Sequence, residues 1–113
     1  MITLADLPLG ASRITPQQMH ALMEAHPGEL TIVDVRDPDE FITGHLAEAI
    51  LHPLGLIVSG DLEGLPEDKT TPIFVHCRSG MRSETAAQVL VAMGYRQVVN
   101  FGGVLDWPYG LVR

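Results

Sequence analysis

The sequence predicts an α/β domain, a mostly parallel central sheet flanked by helices, and three observations carry that prediction. Short β-branched apolar runs at residues 30–35, 73–76 and 98–100 alternate with helix-forming stretches that bring their own start and stop residues. The chain has 113 residues and is 46% hydrophobic, which suits one domain with a real core. No repeat, low-complexity tract or linker divides it, so a single domain over residues 1–113 is expected, with its core at about 15–107.

The elements follow in order. Thr15 is placed to cap a first helix, Pro16 suits its first position, and Gln18 stands where a capping box wants Glu or Gln. Met19, Leu22 and Met23 give that helix one apolar face, and Gly28 stops it. Residues 30–35 form a buried strand. Asp37-Pro38-Asp39-Glu40 repeats the capping pattern ahead of a short helix ending near Gly44, and residues 49–51 read as a brief strand. Between Leu54 and Thr71, Gly55, Gly60, Gly64 and Pro66 break every long pattern, and no element is assigned. Residues 73–76 form a strand bounded by Pro72. Residues 83–93 form a helix, with Ala86, Ala87, Leu90 and Val91 at helical spacing and Gly94 as its cap. Residues 98–100 are the last strand, and Gly102-Gly103 turns the chain into a final helical piece holding Trp107.

Composition excludes several classes of function. Seven Lys+Arg against 14 Asp+Glu leave a net charge of −7, with no basic stripe to neutralise nucleic-acid phosphates. Uncharged stretches such as residues 49–60 fall well short of the roughly 18 residues a membrane span needs. The first 13 residues carry Asp6 and Pro8 and lack a basic region ahead of an apolar one, so they do not read as a signal peptide. A soluble, cytoplasmic domain is expected. Cys77 is the single cysteine, which rules out an intrachain disulfide and a multi-cysteine metal cage. His20, His26, His52 and His76 show no metal-ligand spacing, so no metal site is expected.

Chemistry concentrates in residues 73–83. A buried strand delivers Cys77 to its C-terminal end, where open α/β sheets place their ligand sites. The loop Arg78-Ser79-Gly80-Met81-Arg82 follows, and a helix begins at once. Such a turn aims backbone N–H groups inward at the positive end of a helix, and Gly80 supplies the freedom a sharp loop needs. Arg78 and Arg82 add positive charge to an otherwise acidic chain. All of this favours a thiolate, or an anionic substrate, at Cys77. Ionisation alone achieves little. Lowering a thiol pKa from about 8.5 to about 6.5 raises the thiolate fraction at pH 7 from about 3% to roughly 75%. The same change cuts intrinsic nucleophilicity roughly eightfold, so the net gain is about threefold. Holding the substrate and stabilising a charged sulfur intermediate matter more. The plainer readings are a small buried hydrophobe for Cys77, surface charges for Arg78 and Arg82, and turn or cap residues for Ser79 and Ser83.

Cys77-Arg78-Ser79-Gly80-Met81-Arg82, with Cys first and Arg last, does not stand alone. Ile32-Val33-Asp34-Val35-Arg36-Asp37-Pro38-Asp39-Glu40-Phe41, then Gly44-His45, and later Gly94-Tyr95 through Val99-Asn100 and Gly102-Gly103-Val104-Leu105-Asp106-Trp107 complete an ordered set. With these the chain resembles the single-domain rhodaneses, a family of sulfurtransferases, from about residue 15 to 107. The resemblance implies that Cys77 attacks the outer sulfur of an anionic donor such as thiosulfate, releases sulfite and becomes a persulfide. A thiol or cyanide then accepts the sulfur, and a protein acceptor is a further partner class. The amides of residues 78–82 would cradle the persulfide, Arg82 would hold the donor's charge, and no metal or organic cofactor is implied. Two departures stand out. Gly44-His45-Leu46-Ala47-Glu48-Ala49 carries Glu48 where the family often has Gly, and His76 is more typical of cysteine phosphatases.

The remaining polar residues read as structural. Arg36 and Glu40, four apart, are expected to pair and brace the first helix-bearing corner. His45 is expected to order its loop, Asp34 to satisfy nearby amides, Trp107 to anchor the last helical piece, and Met19, Met23 and Met93 to fill core. Glu84 places a negative charge near a helix start. Two rival functions remain. Cysteine phosphatases and arsenate reductases of related fold place five residues between Cys and Arg; here four intervene, and the tighter ring suits one sulfur atom better than a tetrahedral oxyanion. A protein-docked persulfide carrier would use the same Cys77 chemistry in a relay.

Overall fold

The computed structural model describes all 113 residues. Five strands form one sheet in the order β1-β5-β4-β2-β3, and every pairing is parallel. The strands are β1 (Gly10–Arg13), β2 (Thr31–Asp34), β3 (Ile50–Leu51), β4 (Ile73–Cys77) and β5 (Gln97–Gly103). The helices are α1 (Pro16–Ala25), α2 (Pro38–Phe41), α3 (Leu54–Val58) and α4 (Met81–Ala92). Short 3₁₀ turns occupy Leu4–Asp6 and Val104–Asp106. No helix is long and apolar enough to cross a membrane.

β4 lies at the centre, and all five of its residues are buried. A strand covered on both faces must be apolar at nearly every position, as Ile73-Phe74-Val75 is. Alternation then divides the core. Ile73, Val75 and Cys77 face Val33, Val98, Ile57 of α3 and Ala86, Ala87 and Leu90 of α4. Phe74 points the other way, into a cluster with Ile32, Val99, Phe101, and Met19 and Leu22 of α1. α1 starts where the sequence places it. Thr15 Oγ1 accepts from the Gln18 amide at 3.0 Å and Gln18 Oε1 accepts from the Thr15 amide at 2.9 Å.

Three elements differ from the sequence reading. β1 and α3 carry no strong local signal; β1 is a four-residue edge strand, and α3 is one turn of Leu-Gly-Leu-Ile-Val with a buried Ile57. β1 also carries the folded unit upstream of residue 15. Gly102 and Gly103 belong to β5 rather than to a turn, and the helical piece begins after them. Pairing of β5 with β4 skips a residue: Val75 sits opposite Asn100 but Cys77 opposite Gly103, so β5 carries a bulge.

Arg36 does not pair with Glu40. Its guanidinium turns back onto Asp34, donating from Nε at 3.0 Å and Nη2 at 2.8 Å, and also donates to the Gly44 carbonyl at 2.7 Å. Both members are buried, and Asp34 accepts the Arg36 amide as well. This ties the end of β2 to the Gly44-His45 corner. Glu48, at the position often glycine in rhodaneses, accepts from the Gly28 amide at 2.9 Å, and no non-glycine residue needs a positive φ. The turn therefore tolerates Glu without strain. Replacing Asp34 by Ala leaves a buried guanidinium without its counter-charge and is expected to cost about 3–5 kcal/mol. Urea denaturation of Asp34→Ala against the parent measures it.

Candidate active site

Cys77 ends β4, and the chain then turns through Arg78-Ser79-Gly80 into α4. Gly80, at φ +100°, closes the turn in the left-handed region that favours glycine. Its backbone packs on β5: a Cβ at Gly80 would stand 3.3 Å from Gly102 Cα, and one at Gly103 would overlap the Arg78 carbonyl. Two glycine-bearing backbones thus lie against each other, and the β5 bulge lets them meet. The Leu105 amide donates to the Arg78 carbonyl at 3.1 Å and fixes the loop from the other side.

The outcome is a ring of donors aimed at one sulfur. The Gly80 amide lies 3.0 Å from Cys77 Sγ, the Ser83 amide 3.4 Å and the Ser83 hydroxyl 3.4 Å. Cys77 is 1% exposed and belongs to the core, as a small hydrophobe would, but its sulfur meets these donors instead of only aliphatic neighbours. Burial pushes its thiol pKa up. Hydrogen bonds from the Ser83 hydroxyl and amide and from the Gly80 and Ser79 amides push it down by more, so it lies below its ordinary value.

Asn100 holds the ring in place. Its Nδ2 donates to the Gly80 carbonyl at 3.1 Å and to Glu84 at 3.2 Å, which leaves Oδ1 to accept from the Gly102 amide at 3.0 Å and from Ser83 Oγ at 2.8 Å. Ser83 has one hydroxyl proton for three acceptors, the Asn100 amide oxygen, the sulfur and, at 3.5 Å, the Gly102 carbonyl. The shortest contact favours Asn100 while the sulfur is a neutral thiol, and a thiolate competes for it. Glu84 also accepts from Arg13 Nε at 3.1 Å, joining α4 to β1. These bonds hold its carboxyl below the usual range.

The predicted loop residues separate by exposure. Gly80 is buried, Arg78 and Ser79 are exposed, and the Met81 side chain is 77% exposed. Arg82 forms a two-pronged pair with Glu40, from Nη1 at 2.7 Å and Nη2 at 2.8 Å. The pair lowers the Glu40 pKa to about 2 and raises that of Arg82. Arg78 makes no ion pair. It lines a cleft of about 300 Å³ with Arg36, Asp39, Glu40, Thr43, Gly44, Val104 and Leu111. Asn100 and Gly103 carry no site role in the sequence reading, which places them only in the last strand and the turn after it. An Asn amid Val98-Val99 and Phe101 was the available signal, because a buried amide must find partners.

His76 lies on the opposite face from Cys77, against Phe101 at 5.0 Å between ring centroids. Neither ring nitrogen has a hydrogen-bond partner, and Asp34 Oδ2, at 3.8 Å, is too distant for one. Burial drives its pKa down to about 4 despite the nearby Asp34, so the ring is neutral at pH 7.

The comparisons name the family of this parallel α/β sheet with a cysteine loop at the end of its central strand. The model of the rhodanese-like domain matches residues 15–108, and the chain belongs to that family. It is 35% identical over 98 residues to the probable adenylyltransferase/sulfurtransferase MoeZ of Mycobacterium tuberculosis, a match spanning 85% of this chain and about a quarter (24%) of that protein. It is also 35% identical over 95 residues to the thiosulfate sulfurtransferase GlpE of Stutzerimonas stutzeri, covering 80% of this chain and 78% of that one. A rhodanese-like domain protein from Staphylococcus aureus superposes with a TM-score of 0.76 at 26% identity, over 89% of this chain and 96% of that one.

The neutral His76 generates a pH dependence. The unfolded chain takes up the proton below pH about 6.5, whereas the folded chain refuses it until about 4, so stability falls as pH drops through that window. The loss is up to roughly 3 kcal/mol. Denaturation curves between pH 7 and pH 4 are expected to lose about one proton's worth of slope in His76→Phe.

Proposed function

We propose that this protein is a sulfurtransferase that carries a sulfane sulfur on Cys77. The convergence of the Gly80 and Ser83 amides on Sγ is the observation that carries the reading. The Cys77 thiolate attacks the outer sulfur of thiosulfate. A Cys77–sulfur bond forms, the donor's S–S bond breaks, and its electron pair leaves with sulfite. The amides that lie on Sγ, those of Gly80 and Ser83, are placed to face the negative charge that the persulfide carries. A thiol or cyanide then attacks the outer sulfur and restores the Cys77 thiolate. A protein thiol fits the same step, which is the relay form of the function. A cytoplasmic setting would keep Cys77 reduced between turnovers.

The two arginines divide their work. Arg82 is already neutralised by Glu40, so its part is to hold the start of α4 against α2 and keep the amides aimed. Arg78, free of any carboxylate partner and facing the cleft, meets the donor's charge. The phosphatase reading is disfavoured by the four-residue spacing from Cys77 to Arg82 and by that same occupied guanidinium.

Intact-mass analysis after thiosulfate treatment should find one added sulfur atom, removable by cyanide and absent in Cys77→Ser. Uptake of no sulfur from any donor by the folded parent protein would sink the reading. Arg78→Ala is expected to raise the KM for thiosulfate about tenfold with a smaller change in kcat. Steady-state rates of Arg78→Ala beside Arg82→Ala test the division, which fails if only Arg82→Ala weakens donor binding.

A further inference from the structure

A second pocket, of about 180 Å³, opens on the α1 side of the sheet and shares no lining residue with the cleft at Arg78. His20 and Met23 of α1 line it, with Leu46, Ala47, Trp107 and Tyr109. Three of these residues are aromatic rings held at two orientations. Tyr109 stacks on His20, with 3.7 Å between centroids and 2° between planes. Trp107 stands edge-on to both, 5.1 Å from Tyr109 at 71° and 6.2 Å from His20 at 69°. Phe101, buried beneath the sheet's apolar cluster, braces Trp107 at 5.7 Å.

Charge decides what these rings can hold. No lysine or arginine lines the pocket, so an anion meets no counter-charge there. Glu24, whose carboxylate lies 3.2 Å from His20 Nδ1, adds a negative group at the edge of the rings, and the whole chain carries −7. Each ring face presents the negative side of its quadrupole, and rings set nearly perpendicular present such faces from two directions. A strongly hydrated inorganic cation finds no cage of oxygens to replace its water. A weakly hydrated organic cation can lie on the ring faces while its methyl groups cover Met23 and Ala47. The room is below the ordinary range of small-molecule sites and suits one headgroup.

We propose that the pocket framed by His20, Trp107 and Tyr109 is a second binding site, for a small free organic cation of the quaternary ammonium class. The ammonium group lies in the corner between the stacked pair and the indole, and its remaining chain points to solvent. Binding there is non-covalent and leaves Cys77 untouched, so the site stands independently of the sulfur-transfer reading.

Trp107 is the only tryptophan, so its fluorescence and its indole N–H resonance read the pocket directly. The test titrates the intact protein with choline, with the uncharged analogue that has carbon in place of nitrogen, and with sodium chloride at matched ionic strength. Choline should shift the Trp107 signals with a Kd on the order of 1 mM, and the uncharged analogue should bind at least about fivefold more weakly. Tyr109 is 42% exposed, so Tyr109→Ala leaves the core intact. It should weaken choline about fivefold, whereas Tyr109→Phe, which keeps the ring, should stay within about twofold of the parent. Equal binding of choline and its uncharged analogue, no shift beyond that of sodium chloride, or full binding by Tyr109→Ala overturns the site. A trimethyllysine peptide that binds more than about tenfold tighter than choline overturns the assignment to a free molecule. Sulfur loading of Cys77 should be unchanged in Tyr109→Ala, so the two readings fail separately.

Discussion

The architecture of the site depends on two backbones touching without side chains between them. The loop after β4 can aim its amides at Cys77 only because Gly80 and the Arg78 carbonyl lie directly on Gly102 and Gly103 of β5. A regular ladder would set those residues out of step. The bulge opposite Val75 and Cys77 supplies the shift, and Asn100, the residue at which regular pairing stops, bonds to both sides of the join. A sheet irregularity is thereby converted into a donor ring, at a cost in ladder bonds that the Asn100 bonds offset.

Around that join, charge is disposed in closed pairs. Asp34 with Arg36 fixes the end of β2 and, through the Gly44 carbonyl, the corner leading to β3. Glu40 with Arg82 fixes α2 to the start of α4. These pairs orient backbone; they do not present charge to a ligand. The arrangement also explains how an acidic chain can hold a thiol whose pKa lies below its ordinary value. The amides are neutral dipoles, and the nearby carboxylates of Glu40 and Glu84 are each already engaged by a cation or an amide.

Much of this was legible in the residues. Thr15-Pro16-Gln17-Gln18 announces α1, because a capping box is a local bond pattern, and residues 73–76 announce the central strand, because a strand covered on both faces must be apolar at nearly every position. Cys77-Arg78-Ser79-Gly80 announces the loop. What stayed hidden depends on partners remote in sequence. β1 exists because β5 offers it an edge, so four residues of Gly-Ala-Ser-Arg carry no signal of their own. The expected Arg36–Glu40 pair failed because i,i+4 spacing brings side chains together only within one helix, and Arg36 precedes α2. Arg82 was expected to be free because nothing local shows that Glu40, 42 positions earlier, reaches it.

The shared proton of Ser83 has a consequence for how such a domain changes state. On the proposed cycle the inner sulfur loses its charge once it is sulfurated, and the hydroxyl returns to Asn100, 2.8 Å away. In that cycle the empty and loaded forms differ in which acceptor the Ser83 O–H bond meets. The charge on the sulfur thus sets which way the Ser83 hydroxyl turns.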